Sequence, residues 1–364
     1  MKFDAVIIGA GAAGSVLAAQ LSSLKILVVE KKPKERWSPQ IIALSHSSML
    51  LLQQFGLYPE GTPIHTVHVS VKGGSGAHII THTSQQIPNL GHVLPMAHLE
   101  QTAYRLATQS PTVTWWQPDE CLNYSLITTG WQLAFSHTTV ETPLLIVADG
   151  AHSKIAQTLG ISYQSYPYTH VGLIARVTWQ MPLNGIAYER FLPKSTLAVL
   201  PMGDNTSVCV WTLPPDIAKN FKTDEMTLKE ALAEAMGYRL GRIKTVENII
   251  IRPFEQTVAE QTVGARWVLL GNAAHTLHPI AAQGFNLTLR DSAVLANKLL
   301  TNRSLQQYDS QRQKDRQRIT DITHFLAHQV TEKAWPSVCL TLGLQLSQLP
   351  WIRSHIAHLG LGTA

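Results

Sequence analysis

Residues 3–30 of the chain read FDAVIIGAGAAGSVLAAQLSSLKILVVE. The pattern is an apolar strand, a turn with glycines at Gly9, Gly11 and Gly14, a helix and a second strand closed by Glu30. Such glycines permit a tight turn, a close approach of the backbone to a pyrophosphate, and close packing of the helix on the strand. An acid about 20 residues further on accepts hydrogen bonds from ribose hydroxyls. The segment therefore predicts a dinucleotide-binding unit.

A second stretch, residues 271–291, reads GNAAHTLHPIAAQGFNLTLRD. It follows an apolar run at residues 267–270, breaks at Gly271, and turns through Pro279 and Gly284 into a helix with apolar residues every three or four positions. The free N–H groups and the dipole of a helix N-terminus favour electron-rich groups. Taken alone, the stretch predicts a site for an anion or a ring oxygen and identifies no ligand.

Composition excludes several classes of protein. The chain has 364 residues, 45% apolar and 15% charged, which is enough for about two domains with buried cores. The net charge of +5 and the pI near 9.0 are mildly basic, and no basic run is dense enough to indicate nucleic acid. The three cysteines are far apart, so no disulfide framework is expected. The apolar start contains glycines and lacks a cationic flank, so we expect no signal peptide and a cytoplasmic location.

Three motifs stand in order along the chain: residues 9–14 with Glu30, residues 148–153 (ADGAHS), and residues 271–291. This set resembles the single-component FAD-dependent aromatic hydroxylases, the group A flavoprotein monooxygenases, from residue 1 to about residue 330. Three phrases are most similar to the ubiquinone-biosynthesis branch of polyprenyl methoxyphenol hydroxylases, at residues 189–202 (ERFLPKSTLAVLPM), 237–243 (GYRLGRI) and 271–287 (GNAAHTLHPIAAQGFNL).

The resemblance implies an α/β fold with a Rossmann-like FAD-binding domain, an inserted β-rich substrate domain and a helical C-terminal region. The discontinuous FAD-binding domain is expected at residues 1–70, 96–165 and 262–302, the substrate domain at residues 71–95 and 166–261, and the helical region at residues 303–364. Alternating or apolar runs predict strands that include Thr66–Val71, Val113–Trp116 and Val171–Trp179, and the chain looks helical from Gln306 onward.

The resemblance also assigns residues to the cofactor. The expected FAD-binding residues are Gly9, Gly11, Ala13, Gly14, Glu30, Gln101, Asp149, Gly150, Gly271, Asn272, Pro279, Gly284, Phe285, Asn286 and Leu287. Asp149 would face the flavin and the nicotinamide. Asn272 stands where most of the superfamily has an acid, and its amide can still accept a hydrogen bond from the ribityl chain.

Pro279 and Gly284 are the candidate catalytic residues. Pro279 would lie beside the reactive C4a carbon of the flavin and shape a dry pocket. Gly284 and the next three residues would present backbone N–H groups to the pyrimidine edge, where negative charge collects on reduction. Arg190 and Phe191 fall in a segment expected to cover the flavin, although Phe191 is more readily explained as ordinary core than as a substrate contact.

The resemblance further implies a reaction. NAD(P)H would serve as co-substrate and reduce the FAD, and O₂ would form a flavin hydroperoxide. A polyprenyl methoxyphenol would then attack with the ring position para to its hydroxyl. Two alternatives stay open at this point: a sister ubiquinone-pathway hydroxylase acting at another ring position, and a flavin-fold scaffold subunit of the quinone-synthesis complex.

Two departures from the family pattern favour weaker retention of FAD. Gln40 stands where the branch usually has an arginine, and Ala282 replaces the first glycine of the usual GQG. His275 and His278 are three residues apart but have no third ligand at a useful spacing, so no metal is expected.

The stretch Ala334–Ile352 contains no charged residue. Two prolines and two glutamines argue against a membrane span. It is expected either to lean on a membrane surface, which would place the protein peripherally on the inner face of the plasma membrane near other ubiquinone-biosynthesis proteins, or to pack on the body or on another subunit.

Overall fold

A computed structural model of the chain describes residues 1–33, 37–74 and 77–329. Its strands are β1 (Ala5–Ile8), β2 (Ile26–Val29), β3 (Ile41–Ser45), β4 (Thr62–Ile64), β5 (Thr66–Val71), β6 (Ala77–Thr81), β7 (Gly91–Pro95), β8 (Val113–Trp116), β9 (Asn123–Ile127), β10 (Gly130–Ala134), β11 (Thr139–Thr142), β12 (Leu145–Val147), β13 (Tyr163–Trp179), β14 (Ile186–Leu192), β15 (Ser195–Pro201), β16 (Thr206–Leu213), β17 (Ile243–Ala259), β18 (Trp267–Leu269) and β19 (His275–Thr276). Its helices are α1 (Ala12–Gln20), α2 (His46–Gln54), α3 (Met96–Gln109), α4 (Lys154–Thr158), α5 (Pro215–Thr223), α6 (Glu225–Ala235), α7 (Gln283–Leu300) and α8 (Leu305–Ala327).

A five-stranded parallel sheet in the order β18-β12-β1-β2-β8 carries the glycine turn. Its strands are short continuous apolar runs, as expected of a parallel sheet that is covered on both faces. Helices α1, α3 and α7 share a buried cluster with one face, and the small antiparallel sheet β11-β10-β9 packs on the other. The sheet therefore brings the first 30 residues together with the segment that precedes residue 271.

The second large sheet has eight strands in the order β19-β17-β13-β16-β15-β14-β5-β6. Helices α5 and α6 cover one face and enclose Trp179, Leu228 and Leu232 in a buried cluster. The other face carries Ala187, which packs against the small sheet β3-β7-β4. The small sheet and the two helices therefore cover opposite faces of the eight-stranded sheet.

Most strand predictions are close to the observed bounds. Those at Thr66–Val71 and Val113–Trp116 agree, whereas the strand predicted from Val171 begins at Tyr163, because residues 163–169 are mostly accessible and gave no apolar signal. The last described helix begins at Leu305, one residue before the prediction.

One strand lies across a predicted domain boundary. β5 pairs with β14 and β6, so it belongs to the eight-stranded sheet, although a boundary after residue 70 would have left it in the FAD-binding domain. The predicted membrane-facing stretch at residues 334–352 lies outside the described residues. Within the described ranges, no helix is both long enough and apolar enough to cross a bilayer.

Candidate active site

The glycine turn after β1 separates packing glycines from a glycine that faces open space. A Cβ on Gly9 would lie 2.4 Å from the Ala148 carbonyl oxygen, and a Cβ on Gly14 would lie 1.9 Å from the Gly9 carbonyl oxygen. A Cβ on Gly11 would meet nothing within 4 Å. Gly11 precedes the first residue of α1, so the room lies in front of that helix N-terminus.

The N-terminus of α1 provides donors for an anion. The first turn contains no acidic residue, and no side chain caps it. The first N–H groups of a helix have no partner inside the helix, and the helix dipole adds a partial positive charge. Room at Gly11 and donors that include the Ala13 N–H are the features that a pyrophosphate requires.

Glu30 lies directly beside this turn. Its carboxylate accepts hydrogen bonds from the Ala10 N–H at 2.8 Å and from the Lys32 N–H at 2.9 Å. The side chain is half-buried at the end of β2, and each carboxylate oxygen has a second lone pair to offer. The structure therefore brings Glu30 to the place where the adenosine ribose of a dinucleotide would lie.

Glu100 is a residue of this site that the sequence analysis missed. Its carboxylate accepts a hydrogen bond from the Ser38 N–H at 2.8 Å and is buried. Burial raises the pKa of Glu100, and hydrogen bonds from the Ser38 and Ala12 backbone N–H groups oppose that rise. The available signal was a carboxylate within the apolar stripe of α3. Gln101 is half-buried beside it, and its contact with FAD stays a prediction.

Asp149 and Gly150 follow β12 on the other side of the glycine turn. The Asp149 Oδ1 atom is buried and has no hydrogen-bond partner among the described residues. Burial raises the pKa of Asp149, while a hydrogen bond with Ser153 opposes the rise. Gly150 has φ +95°, and a Cβ there would meet nothing within 4 Å. An orphaned polar oxygen beside open space fits a polar ligand at this position.

The Gly271 motif packs directly on the first motif. Gly271 has φ +65°, and a Cβ there would lie 2.9 Å from the Ala13 Cβ. The chain then forms a short 3₁₀ turn at Gly271–Ala273 in which Asn272 is exposed. Asn272 is thus free to reach a ligand on this surface.

The turn that contains Pro279 is shaped by a neutral histidine. Burial lowers the pKa of His278 to about 3, and the charge of His170 contributes in the same direction. The neutral ring accepts a hydrogen bond at Nδ1 from the Ile280 N–H at 3.2 Å. Pro279 itself is exposed, and Tyr168 and Phe254 pack edge-on against the His278 ring with centroids 4.8 and 4.7 Å away. The histidine therefore serves the backbone, and no group of three metal-ligating side chains occurs within the described ranges.

Helix α7 begins at Gln283, one residue after Ala282, which has φ +51° and ψ 34°. The N–H groups of Gly284 and Phe285 lie in its first turn, where the helix itself supplies no partner for them. Those of Asn286 and Leu287 fall where a helix bonds within itself, which differs from the predicted set. A Cβ on Gly284 would meet nothing within 4 Å, so the N-terminus of α7 is also open.

Asn286 contributes through its side chain. Its Oδ1 accepts a hydrogen bond from the Ser45 N–H at 2.9 Å, and its Nδ2 donates to the Ala43 and Ala282 carbonyls at 3.0 and 2.7 Å. The side chain therefore fixes the start of α7 against β3 and holds the Ala282 turn in place.

A buried ion network supports α7 from behind. Asp291 is 1% exposed, and its carboxylate bonds His275 Nε2 at 3.0 Å and Arg312 Nε at 2.6 Å. Although burial acts to raise it, the pKa of Asp291 is lowered, because His275 and Arg312 stabilise the charged form. His275, which the sequence analysis weighed and rejected as a metal ligand, joins the segment after Gly271 to α7 and, through Asp291 and Arg312, to α8.

Three observations together test whether FAD fits. The first is the room at Gly11 before a helix N-terminus, the second is the orphaned oxygen of Asp149, and the third is the open N-terminus of α7 at Gly284. All three lie on segments that the parallel sheet brings together. The residues present fit a dinucleotide that spans from Glu30 to α7.

Comparison with known proteins agrees with this geometry. Residues 2–323 match the model of the FAD binding domain family. "Ubiquinone hydroxylase UbiL" of Rhodospirillum rubrum is 27% identical over 322 residues, covering 83% of this chain and 73% of that protein. The human protein "Ubiquinone biosynthesis monooxygenase COQ6, mitochondrial" is 24% identical, covering 94% of this chain and 89% of that protein.

Solved structures share the fold at lower identity. PqsL of P. aeruginosa in complex with 2-aminobenzoylacetate superposes with a TM-score of 0.79 at 20% identity, covering 91% of this chain and 97% of that chain. The p-nitrophenol 4-monooxygenase PnpA of Pseudomonas putida gives a TM-score of 0.79 at 16% identity, covering 98% and 97%. Motifs, fold and family match agree: the chain belongs to the FAD binding domain family and is an FAD-dependent monooxygenase with the aromatic-hydroxylase fold.

Proposed function

We propose that this protein hydroxylates a polyprenyl methoxyphenol para to its hydroxyl in ubiquinone biosynthesis, with NAD(P)H and O₂ as co-substrates. The observation that carries the proposal is the convergence of all three flavin motifs on one cradle in a chain whose relatives include proteins named as ubiquinone hydroxylases. The phrases at residues 189–202 and 237–243 support the methoxyphenol branch.

When bound, FAD would take hydride from NAD(P)H and, with O₂, supply the oxygen atom that is inserted into the ring. The protein would bind the cofactor and the substrate, orient them, and exclude water from the reacting atoms. The N-terminus of α7 would stabilise negative charge on the reduced pyrimidine ring through the Gly284 and Phe285 N–H groups. Glu30 and the N-terminus of α1 would hold the adenosine end, and Pro279 would limit access of water to the reacting carbon.

A phenol is activated by its own oxygen, most strongly as the phenolate, so the protein needs to supply no nucleophile. The partly buried apolar residues beside Ala187, among them Ala43, Leu200 and Met202, suit a prenylated aromatic ring more than a charged metabolite. A peripheral position on the inner face of the plasma membrane, beside other ubiquinone-biosynthesis proteins, would give access to a substrate that is dissolved in the bilayer.

Deletion of the gene in a ubiquinone-making host tests the proposal. We expect the unhydroxylated methoxyphenol to accumulate and plasmid-borne wild type to remove it, as measured by the mass of the extracted quinone intermediates. Normal ubiquinone with no accumulated phenol would overturn the proposal. Accumulation of an intermediate that lacks a different ring oxygen would instead favour the sister hydroxylase, a class to which the 25% identical "3-demethoxyubiquinol 3-hydroxylase" of Escherichia coli belongs by name.

The scaffold alternative rests on Ala282, which holds a left-handed conformation that suits glycine, and on the neutral Gln40. Anaerobic mixing of the FAD-loaded protein with NAD(P)H and a phenol separates the two functions. Bleaching of the flavin absorbance supports the hydroxylase, and FAD that binds but stays oxidised supports the scaffold.

A further inference from the structure

The face of the eight-stranded sheet that carries Ala187 has a single row of side chains across its middle. Opposed residues in neighbouring strands share a face. The pairing registers align Val69, Glu189, Ala198, Val210 and Ile174 across β5, β14, β15, β16 and β13. We call these five residues the inner row. Each of them is partly accessible, so the row lines a space and is not sealed against another layer.

Contacts at two places on this face put the inner row beside the segments proposed to hold the flavin. Ala187, two residues before Glu189 and on the same face, packs with Ile64 and Val93 of the small sheet. The strand β3 of that sheet is held to the start of α7 by the Asn286 side chain.

The second place is at Gly172, two residues before Ile174. A Cβ on Gly172 would run into the ring of Phe254, so Phe254 lies on the same face of the sheet. The Phe254 ring in turn contacts His278, the residue before Pro279. The inner row is therefore bounded by the small sheet that contains β3 and by the Pro279 turn.

Glu189 is the one acid of the inner row, between Val69 and Ala198. The next residue, Arg190, points to the opposite face, where it donates hydrogen bonds to the Ala235 carbonyl and to Ser70 Oγ. Arg190 therefore does not cover the flavin, in contrast to the sequence expectation, and it cannot neutralise Glu189. Among the described residues, the Glu189 carboxylate has no hydrogen-bond or ion-pair partner.

We propose that Glu189 is the catalytic acceptor for the substrate hydroxyl: its carboxylate accepts the hydrogen bond of the phenol and takes the phenolic proton while the ring reacts. This inference rests on the proposed function, since it concerns the phenol bound against the inner row. A carboxylate with no partner in an apolar setting is costly, and an incoming O–H donor supplies the bond that it lacks.

The proton and the electrons balance. The ring carbon para to the hydroxyl forms a bond to the oxygen atom that the reduced flavin and O₂ supply, and the hydroxyl proton passes to Glu189. The ring C–H proton is then lost to water, and Glu189 returns its proton to the ring oxygen, which restores the aromatic phenol. The second oxygen atom of O₂ leaves as water, with two electrons from NAD(P)H.

Burial raises the pKa of Glu189 to about 7, with no charged neighbour contributing to the rise. The titratable groups on the same face lie farther along the sheet: His78 across β5, Arg252 opposite Gly172, and Arg176 with Glu247 at the far end of the neighbouring row. The carboxylate form, which is needed to accept the proton, is therefore populated above pH 7 and lost below it.

The test compares wild type, Glu189→Gln, Glu189→Leu and the control Glu247→Gln, all loaded with FAD. Glu247 is an exposed acid on the same face, so its substitution controls for loss of one negative charge. The probes are a short-chain 2-methoxy-6-prenylphenol and its methyl ether. Ligand binding is read from the perturbation of the FAD absorption spectrum at pH 6 and pH 8, and hydroxylation is read from the product.

At pH 8 we expect wild type and Glu247→Gln to prefer the phenol over the ether by about tenfold, as one charge-assisted hydrogen bond implies, and both Glu189 variants to lose that preference. Hydroxylation should fall at least about 100-fold in Glu189→Gln. The pH-rate limb near 7 should disappear in that variant while its FAD content stays unchanged.

Glu189→Gln that keeps the phenol preference and the pH limb would overturn this inference and leave the proposed function intact. A wild type that binds neither probe and hydroxylates no phenol would overturn both.

Discussion

Gly11→Ala and Gly14→Ala separate the glycine that serves the cofactor from the glycine that serves the fold. At Gly11 the added Cβ meets nothing within 4 Å, and the backbone, at φ −65° and ψ −177°, suits any residue. The apoprotein should therefore be as stable as wild type or gain about 0.4–1 kcal/mol from a less flexible unfolded chain. FAD affinity should nevertheless fall, because the methyl group occupies the space that the pyrophosphate needs.

The size of that loss follows from the bonds displaced. A hydrogen bond from a backbone N–H to a charged oxygen contributes about 1.5–3 kcal/mol. Loss of one such bond weakens FAD binding roughly 10- to 150-fold. At Gly14 the Cβ would lie 1.9 Å from the Gly9 carbonyl oxygen, so α1 must shift, and overpacking of this kind costs about 1–3 kcal/mol or more.

Two measurements on each apoprotein decide the matter: urea unfolding, and FAD titration followed by quenching of flavin fluorescence. Gly11→Ala should keep its unfolding midpoint and lose affinity, whereas Gly14→Ala should lose stability first. FAD binding by Gly11→Ala with the wild-type dissociation constant would refute the placement of the pyrophosphate at the N-terminus of α1.

The further predictions concern stability. Ala282→Gly should relieve the left-handed backbone at φ +51° and raise the unfolding free energy of the apoprotein by about 1 kcal/mol in urea titrations, with FAD bound at least as tightly; a lower midpoint would contradict the strain. Asp291→Asn should cost about 3–5 kcal/mol, because it removes the buried anion that His275 and Arg312 share and leaves Arg312 with Asp315 as its remaining ionic partner. Thermal unfolding at pH 7 within about 1 kcal/mol of wild type would refute this. In wild type the pKa of Asp291 is lowered in the folded state. The stability that Asp291 contributes should therefore be present above about pH 4 and be lost as the pH falls further. Glu189→Gln should have the same free energy of unfolding as wild type below about pH 4.5 and be more stable by up to about 3 kcal/mol above pH 7. The reason is that an acid whose folded pKa is raised destabilises the fold as the pH rises through that window. Equal stability of the two proteins at pH 8 would count against a desolvated Glu189.

Motifs with a strict physical requirement could be predicted from the sequence. Gly9 and Gly14 have no space for a Cβ, and Glu30 lies at a fixed distance along the chain from the turn, so the pattern alone specified the strand, the helix and their contact. The family match over residues 2–323 confirms the family that these motifs predicted. Such positions are legible because each allows almost no other residue.

Contacts between distant segments could not be predicted in the same way. The pairing of His275 with Asp291, and the approach of Glu100 to Ser38, depend on how helices pack after the chain has folded. The inner row illustrates the limit most clearly. The letters ERF at residues 189–191 do not reveal which side chain shares a sheet face with Ala187. Only the contacts of β14 with its neighbours show that Glu189 does and that Arg190 does not.

The proposed hydroxylation is tested by following molecular oxygen through the reaction. Purified protein with FAD, NAD(P)H and a short-chain 2-methoxy-6-prenylphenol is incubated under oxygen-18 gas, and the mass of the organic product is measured by mass spectrometry. An FAD-dependent ring hydroxylase gives a product with one labelled oxygen atom, formed para to the hydroxyl, for each NAD(P)H consumed. Oxidation of NAD(P)H to give only hydrogen peroxide, or a product whose new oxygen comes from water, would contradict the account.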